Sequence, residues 1–564
     1  MKLEEKILQI LSANGLNFNV QFSTPPNPQM GDLSFACFEL AKAQGKNPVE
    51  CAKELAVLLN LCGENKIVEK VVALGPYVNF YFDAKVLAKE VLFFASKKDF
   101  GENKFGKGKK AMVEFAHPNT HKAFHIGHLR NITTGESLSR ILANAGYKVS
   151  RVNYQGDVGL HIAKCMWGIL RSEKEYLETK KKSIDDRAEF LGKVYAVGGQ
   201  AYEKDEQAKK EIVLLNEQIY NQSDKKINVI YKDTRKWSLD YFAKIYKRVG
   251  VNFDRLYFES QVFKRGRELV LEGVKNEILK QSQGAVIFEG EKYGLHNRVF
   301  LNSQGLPTYE AKDLALAELQ MKEYKPDIIF HVVAKEQIEY FRVLFKALEY
   351  ILPKSQNKEK HLVYGWVTLK EGKMSSRTGQ VVLGEWLLDE VKDKIKEIVR
   401  DHDIKNKEIV AEKVAVAAVK YTFLHTSTSN DIVFSINESV SLTGDSGPYL
   451  LYIVARIKSI LKKTIRIKNY KVKEYIPELI EKNLLNKLSE FDEIAKIAAI
   501  EFDPSQIAHY LLDLAQNFNN FYAHCPVLKT EGEILFFRLN LIKVVEKVMT
   551  KGLYLLGIDT VEEM

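Results

Sequence analysis

The chain has 564 residues, enough for three or four domains of about 150 residues each, and its make-up (46% hydrophobic, 28% charged, 13 prolines) is that of a folding chain, not a disordered one. No apolar run nears the roughly 18 residues that span a bilayer, and the start MKLEEKILQILSANG lacks the basic lead and apolar stretch of a secretion signal. The five cysteines (Cys37, Cys51, Cys62, Cys165, Cys525) form no CxxC pair, so membrane, secreted and disulfide-framework classes are excluded and a cytoplasmic protein is expected; the net charge of +10 is a modest excess that suits an anionic partner.

In chain order, residues 1 to about 95 read as a small α/β unit. Helical spacing covers Phe35–Ala43 and Pro48–Leu59, and strand-like pieces follow at Val68–Leu74 and Val78–Phe82. The stretch Gly101–Lys110 reads as a linker. A strand at Ala111–Phe115, a loop, a helix from about Gly127 to Ala145 and a strand at Lys148–Tyr154 give the βαβ rhythm of a parallel sheet. Residues from about 171 to 285 are charged and helical in period, as in an insertion. Strand patterns return at Ala285–Phe288, Asp327–Val333 and Leu362–Leu369, and from about 395 the chain is helical almost throughout. Between Ala455 and Glu474 eight Lys or Arg face one acid, with Tyr449, Tyr452 and Tyr470 in or beside the run. Bases stack on such rings and phosphates meet such cations, although a basic run alone is more often a solvated helix face.

Two motifs carry chemistry. Residues 117–131 read HPNTHKAFHIGHLRN, with His125-Ile126-Gly127-His128 where strand passes to helix. His125 and His128 share a face of the first turn, the helix N-terminus offers free N–H groups to a polyphosphate, and Gly127 lets a flat base lie against the backbone. Four of the twelve histidines fall in this window, but there is no HExxH and no acid at ligand spacing, so no metal site is expected. The second motif, Lys373-Met374-Ser375-Ser376-Arg377, lies on a Gly-flanked loop, where a fixed positive charge can close over a triphosphate.

Together these resemble the HIGH and KMSKS signatures of class I aminoacyl-tRNA synthetases. Six ordered stretches (Glu114 through Arg130, Arg151–Gly159, Pro307–Asp313, His331–Gln337, Gly372–Gly379 and Gly447–Arg456) narrow the resemblance to the arginyl-tRNA synthetases, over nearly the whole chain. It implies a multidomain α/β protein. It implies that a small α/β N-terminal domain (1–95) contacts the tRNA elbow. A Rossmann-type parallel-sheet catalytic domain (96–394) carries a helical insertion at about 171–285, and an all-α anticodon-binding bundle (395–564) follows. It implies arginine bound by Glu114, Asn119, Tyr309, Asp313 and Gln337, and ATP with Mg²⁺ bound by His125, Gly127, His128, Lys373, Met374, Ser375 and Ser376. It also implies tRNA contacts at Asn79, Phe82, Tyr449, Tyr452, Tyr522 and Met564, no zinc or prosthetic group, and a monomer. A guanidinium calls for a carboxylate that it meets with parallel hydrogen bonds, and Asp313, four residues after Tyr309, shares a helical face with it.

Departures from the pattern are informative. Ser376 stands where the wider class has Lys, and Lys122, three residues before His125, is the candidate replacement. Val158 replaces the family's Trp in the GDWG stretch, and His117 and His121 replace small residues. A cysteine-specific enzyme is disfavoured because only Cys165 lies between the two signatures.

Overall fold

The computed structural model describes residues 3–13, 20–61, 67–370, 382–401, 403–464 and 475–564. After helix Leu3–Ala13, strands β1 (Phe22–Ser23), β2 (Leu33–Ala36), β3 (Val68–Leu74) and β4 (Tyr77–Phe82) form an antiparallel sheet of order β1-β2-β4-β3, with helix Pro48–Leu61 packed on β3 and β4. Helical spacing predicts a helix from Phe35, but the hydrogen bonds of Leu33–Ala36 to β4 draw that segment into the sheet, and the helix starts at Phe38.

The strands β5 (Lys110–Glu114), β6 (Lys148–Gln155) and β7 (Arg255–Phe258) come next. Then follow β8 (Lys280–Ser282), β9 (Ala285–Phe288), β10 (Arg298–Leu301), β11 (Ile328–Ala334), β12 (Glu359–Tyr364), β13 (Val367–Leu369) and β14 (Ile432–Phe434). Five of them make a wholly parallel sheet of order β12-β11-β5-β6-β7. From β5 the chain winds outward through β6 and β7, then returns to build β11 and β12 on the other side. The order therefore reverses between β5 and β11, and the crevice at their C-terminal ends is where such sheets hold ligands.

Helices Leu160–Arg171, Glu173–Thr179, Ile184–Lys204, Glu206–Asn221 and Lys225–Arg248 run between β6 and β7 around an apolar core of their own, which includes Met166, Val194 and Trp237. Val158 packs in that core, so a branched aliphatic fills the place of the family's Trp. The segment 171–285 is not helical throughout: it contains β7, a strand of the main sheet, and β8. The single strand read over Leu362–Leu369 is two, in different sheets. They part at Gly365, where a Cβ would lie 2.3 Å from the Asn430 carbonyl oxygen. Beyond helix Gly384–Ile398 the described chain is helical except for β14, and no helix among the described residues is long and apolar enough to cross a membrane.

Candidate active site and nucleic-acid interface

His125 is the extended residue that caps helix Ile126–Asn144. Its Nδ1 accepts from the Gly127 N–H at 3.1 Å, and its own N–H donates to His128 Nδ1 at 3.1 Å. The rings stack with centroids 3.6 Å apart. With both Nδ1 atoms accepting, each neutral ring carries its proton on Nε2, a donor for anionic oxygen. Burial, then the Lys122 charge, pushes His125 down to about 4, and burial, then the His125 charge, holds His128 well below the usual histidine value, so both are neutral at pH 7.

The other two histidines of the window do structural work. His121, in a left-handed backbone conformation at φ 63°, donates its N–H to Ser238 Oγ and places Nε2 2.8 Å from Thr234 Oγ1. It pins the signature loop to helix Lys225–Arg248. His117 donates its N–H to Asn153 Oδ1 at 3.1 Å. Among the described residues no three His, Cys, Asp or Glu side chains are grouped to hold a metal ion.

Lys373, Met374, Ser375 and Ser376 lie outside the described residues. The chain resumes beside the first signature: the Ile126 N–H donates to the Val382 carbonyl and the Gly384 N–H to the Phe124 carbonyl, both at 2.9 Å. Arg130, fully buried, donates to the carbonyls of Gly365, Trp366, Thr428 and Asn430 at 2.6 to 3.0 Å, tying the signature helix to β13 and β14. Lys122 is half-buried, with Nζ 5.6 Å from the Tyr195 ring centroid and no ion pair among the described residues.

Of the five expected arginine ligands, Glu114 and Asp313 line one small pocket. Glu114 ends β5 and is buried beside its register partner His331 on β11. Asp313, on helix Tyr309–Glu323, accepts from the Tyr340 hydroxyl at 2.6 Å and has no ion pair among the described residues. Burial and the neighbouring charges of Glu114 and Glu259 raise Asp313 to about 7, against the Tyr340 bond. It is a carboxylate short of a cation. Tyr309 opens the same helix and is 62% exposed. Asn119 presses so closely on Gly156 that a Cβ there would lie 2.1 Å from its Oδ1. Gln337 is exposed, in a short turn after β11.

Sequence reasoning missed the supports of this crevice. Gln320 donates to Glu114 Oε2, Tyr340 holds Asp313, and a buried Lys312–Glu259 pair at 2.6 Å lies behind Tyr309. Asp157 is wholly buried and accepts from Ser260 and Arg235 at 2.7 to 2.8 Å. None of these has a local signal, because each partner is far along the chain.

In the helical C-terminal region, helix Gly447–Lys463 carries Tyr452 and, one turn on, Arg456. The Arg456 guanidinium donates to the Tyr452 hydroxyl and lies 4.6 Å from that ring and 5.2 Å from Tyr522, which is 38% exposed. Spacing of four from Tyr452 is the signal that could have singled out Arg456. Three of the residues expected to contact RNA are buried. Tyr449 is 6% exposed and accepts from Asn519, so its face is packed rather than open. Asn79 and Phe82 are 3% and 2% exposed, because β4 is an inner strand whose two faces are both covered, the Phe82 side beside Asn486 and Glu490 of the helical region. Met564 is half-buried against the helical core. Part of the basic run is neutralised internally, with Lys458 and Lys462 at 2.7 and 3.5 Å from Glu562, while residues 465–474 lie outside the described chain.

A parallel sheet with its order reversed at β5/β11, a two-histidine helix cap at that crevice and a helical C-terminal region define the class I aminoacyl-tRNA synthetase type of enzyme. Residues 90–436 match the family described as tRNA synthetases class I (R), catalytic domain; residues 1–82 match the arginyl tRNA synthetase N terminal domain, and residues 450–564 the DALR anticodon binding domain. The arginine–tRNA ligases of Treponema denticola and Clostridium perfringens are 33% and 34% identical, over 97% and 99% of this chain and 95% and 99% of theirs. The structure of Thermus thermophilus arginyl-tRNA synthetase aligns with a TM-score of 0.81 at 27% identity, over 100% of this chain and 99% of that one. The chain belongs to the arginyl-tRNA synthetase family: it is an arginine–tRNA ligase of class I.

Proposed function

We propose that arginine is activated in the crevice between β5 and β11 with its guanidinium on Asp313. The observation that carries this reading is a half-buried carboxylate beside Glu114, held by Tyr340 and with no ion pair among the described residues. A charge-assisted, two-pronged bond to a guanidinium satisfies such a group. Tyr309, Asn119 and Gln337 close around the substrate, and Glu114 sets the charge of the floor.

The arginine carboxylate attacks the α-phosphorus of ATP, which arrives with Mg²⁺ as part of the substrate. This gives arginyl-adenylate and diphosphate. The 2′-hydroxyl of the terminal tRNA adenosine then takes the aminoacyl group, and AMP leaves. Nε2–H donors of His125 and His128 meet phosphate oxygens, the backbone at Gly127 faces the adenine, and the loop carrying Lys373, Met374, Ser375 and Ser376 closes over the leaving diphosphate. Lys122 supplies the cation that Ser376 cannot. Tyr452 and Tyr522, bridged by Arg456 with Met564 at the terminus, stack on anticodon bases. We read residues 1–95, 96–394 and 395–564 as elbow-binding, catalytic and anticodon-binding domains of a cytoplasmic monomer.

ATP–diphosphate exchange with each amino acid, with and without tRNA, tests the reading. Exchange is expected with arginine alone among the amino acids, and only once tRNA completes the site. Exchange driven by another amino acid refutes it.

A further inference from the structure

Behind Glu114 lies a buried chain of charges that the reaction as described does not use. His331 Nδ1 is 3.0 Å from Glu114 Oε1, and His331 Nε2 is 2.8 Å from Glu359 Oε2. Both ring nitrogens face carboxylate oxygens, which only accept, so both must donate. A neutral imidazole has one N–H and an imidazolium has two. The ring is therefore cationic, and the charge of its two carboxylates agrees, raising His331 to about 10 against the pull of burial.

The surroundings keep the ring in place. His331 and Glu114 are register partners across β5 and β11, and Glu359 comes from β12. Phe341 and Phe345 flank the imidazole with centroids 5.3 and 5.6 Å away. Gln320 donates to the second Glu114 oxygen. The other titratable groups facing these are Asp313 and Tyr340 from the two neighbouring helices, His117 and Tyr154 beside Glu114, and His361 on β12. Two carboxylates and one imidazolium leave this floor one negative charge in excess, with Asp313 above it. The pocket is thus short of a cation by design of its second layer as well as its first.

We propose that His331 is a positioning residue for arginine recognition: clamped by Glu359, its imidazolium holds the Glu114 carboxylate in one orientation and keeps it ionised for the incoming guanidinium. The inference rests on Glu114 belonging to the arginine pocket. Without the ring, Glu114 and Glu359 become buried carboxylates with no cation between them, and one of them takes up a proton.

The test compares wild type, Glu114→Gln, His331→Gln and Glu359→Gln in the full chain with tRNA. It measures KM for arginine, KM for ATP and inhibition by citrulline, the neutral isostere of arginine. His331→Gln is expected to raise the arginine KM by ~10-fold or more, leaving the ATP KM and citrulline inhibition within about twofold. Preference for the cation over its isostere then falls by the same factor, a change that loosened packing alone does not produce. Glu359→Gln keeps an acceptor for Nε2 and is expected to lower that preference by about threefold; it decides the matter should His331→Gln not fold. Unchanged preference in the folded variants, with preference lost in Glu114→Gln, overturns the role of His331. An unchanged arginine KM in Glu114→Gln removes Glu114 from the pocket, and the reading beneath the inference falls with it.

Discussion

The crevice proposed for arginine and the helical surface proposed for RNA solve opposite problems. In the crevice, charges are buried and largely paired: Glu114 is shared by His331 and Gln320, Lys312 is locked to Glu259, and Asp313 has no ion pair among the described residues. At the RNA end the working groups lie at the surface and satisfy one another loosely, as when Arg456 leans on Tyr452 and Tyr522. A small cation is recognised by a deficit in a desolvated network, where each missing bond is costly. A splayed loop is recognised by faces and a guanidinium that exchange partners with water. The same kind of substitution therefore carries different weight in the two places.

The largest effect is expected where the deficit is removed. Asp313→Asn leaves a guanidinium facing an amide, and truncating one partner of a desolvated charge pair costs roughly 2–5 kcal/mol, or about 30- to 4,000-fold. Arginine KM rises on that scale and ATP KM stays near normal. A rise below about threefold places the guanidinium elsewhere and breaks the contrast between the two regions.

Lys122→Ala comes next. The adenylate-forming transition state gathers negative charge on phosphate oxygens, and Ser376 brings no cation. Lys122 is half-buried without an ion pair among the described residues, so its charge is free to serve the substrate. Loss of ~100-fold in kcat, about 2.7 kcal/mol, is expected with little change in either KM. Restoring a cation with Ser376→Lys in the Lys122→Ala background is expected to recover part of it. Strictly additive effects in that cycle show that Lys122 does not stand in for the missing Lys.

The RNA end responds less steeply. Tyr452→Ala is expected to lose about 1–3 kcal/mol of stacking and to raise KM for tRNA without altering the salt slope of binding. Lys462→Ala flattens that slope only if Lys462 leaves Glu562, 3.5 Å away, for a phosphate. An unaltered tRNA KM in both Tyr452→Ala and Tyr522→Ala makes these packing residues and moves the interface to another face.

How far the sequence reveals these two regions follows from the range of the interactions. The signature cap was legible because His125, Gly127 and His128 make their bonds within three residues. The parallel sheet was legible through βαβ rhythm and the resemblance, but that β5 and β11 are neighbours was not. The floor was not, since Glu114, His331, Gln320 and Glu359 meet only when three strands and a helix assemble. The burial of Asn79 and Phe82 was hidden for the same reason: alternation along β4 does not say that helix Pro48–Leu61 and the neighbouring strands cover it. The strand β7 hid inside a charged, helical stretch because four residues are too short for a period-2 pattern to stand out.

Proton uptake sharpens the contrast further. Asp313 at about 7 is raised above the usual Asp value, so the free pocket binds a proton that an arginine cation displaces. Affinity for arginine rises with pH up to about 7, by at most ~10-fold per unit, and then levels off. The same shift means that Asp313 costs stability as pH climbs from the unfolded value near 4 towards 7, with no further loss above. Calorimetry of arginine binding in buffers of different ionisation enthalpy checks this: proton release near pH 6.5 is expected in wild type and absent in Asp313→Asn. Equal affinity across pH 6 to 8 means the carboxylate is already ionised and the deficit lies in Glu114 and its partners.

The smallest effect separates two tyrosines one helical turn apart. Tyr449 and Tyr452 both sit on helix Gly447–Lys463, but Tyr449 is 6% exposed and its hydroxyl accepts from Asn519 Nδ2 at 2.6 Å. Tyr449→Phe removes that acceptor and keeps the ring. The Asn519 amide, whose Oδ1 has no partner among the described residues, then loses the bond of its Nδ2 to that hydroxyl. A cost of about 1 kcal/mol in the stability of the helical region is expected, the net worth of one hydrogen bond, read as a lower urea midpoint by far-ultraviolet circular dichroism. KM for tRNA stays within about twofold, because a packed ring offers no face to a base. If Tyr449→Phe weakens tRNA binding as much as Tyr452→Ala does while the urea midpoint holds, the hydroxyl meets RNA directly. The helix would then have to turn that side chain outward on binding, and the surface at this end would be made by the RNA rather than waiting for it.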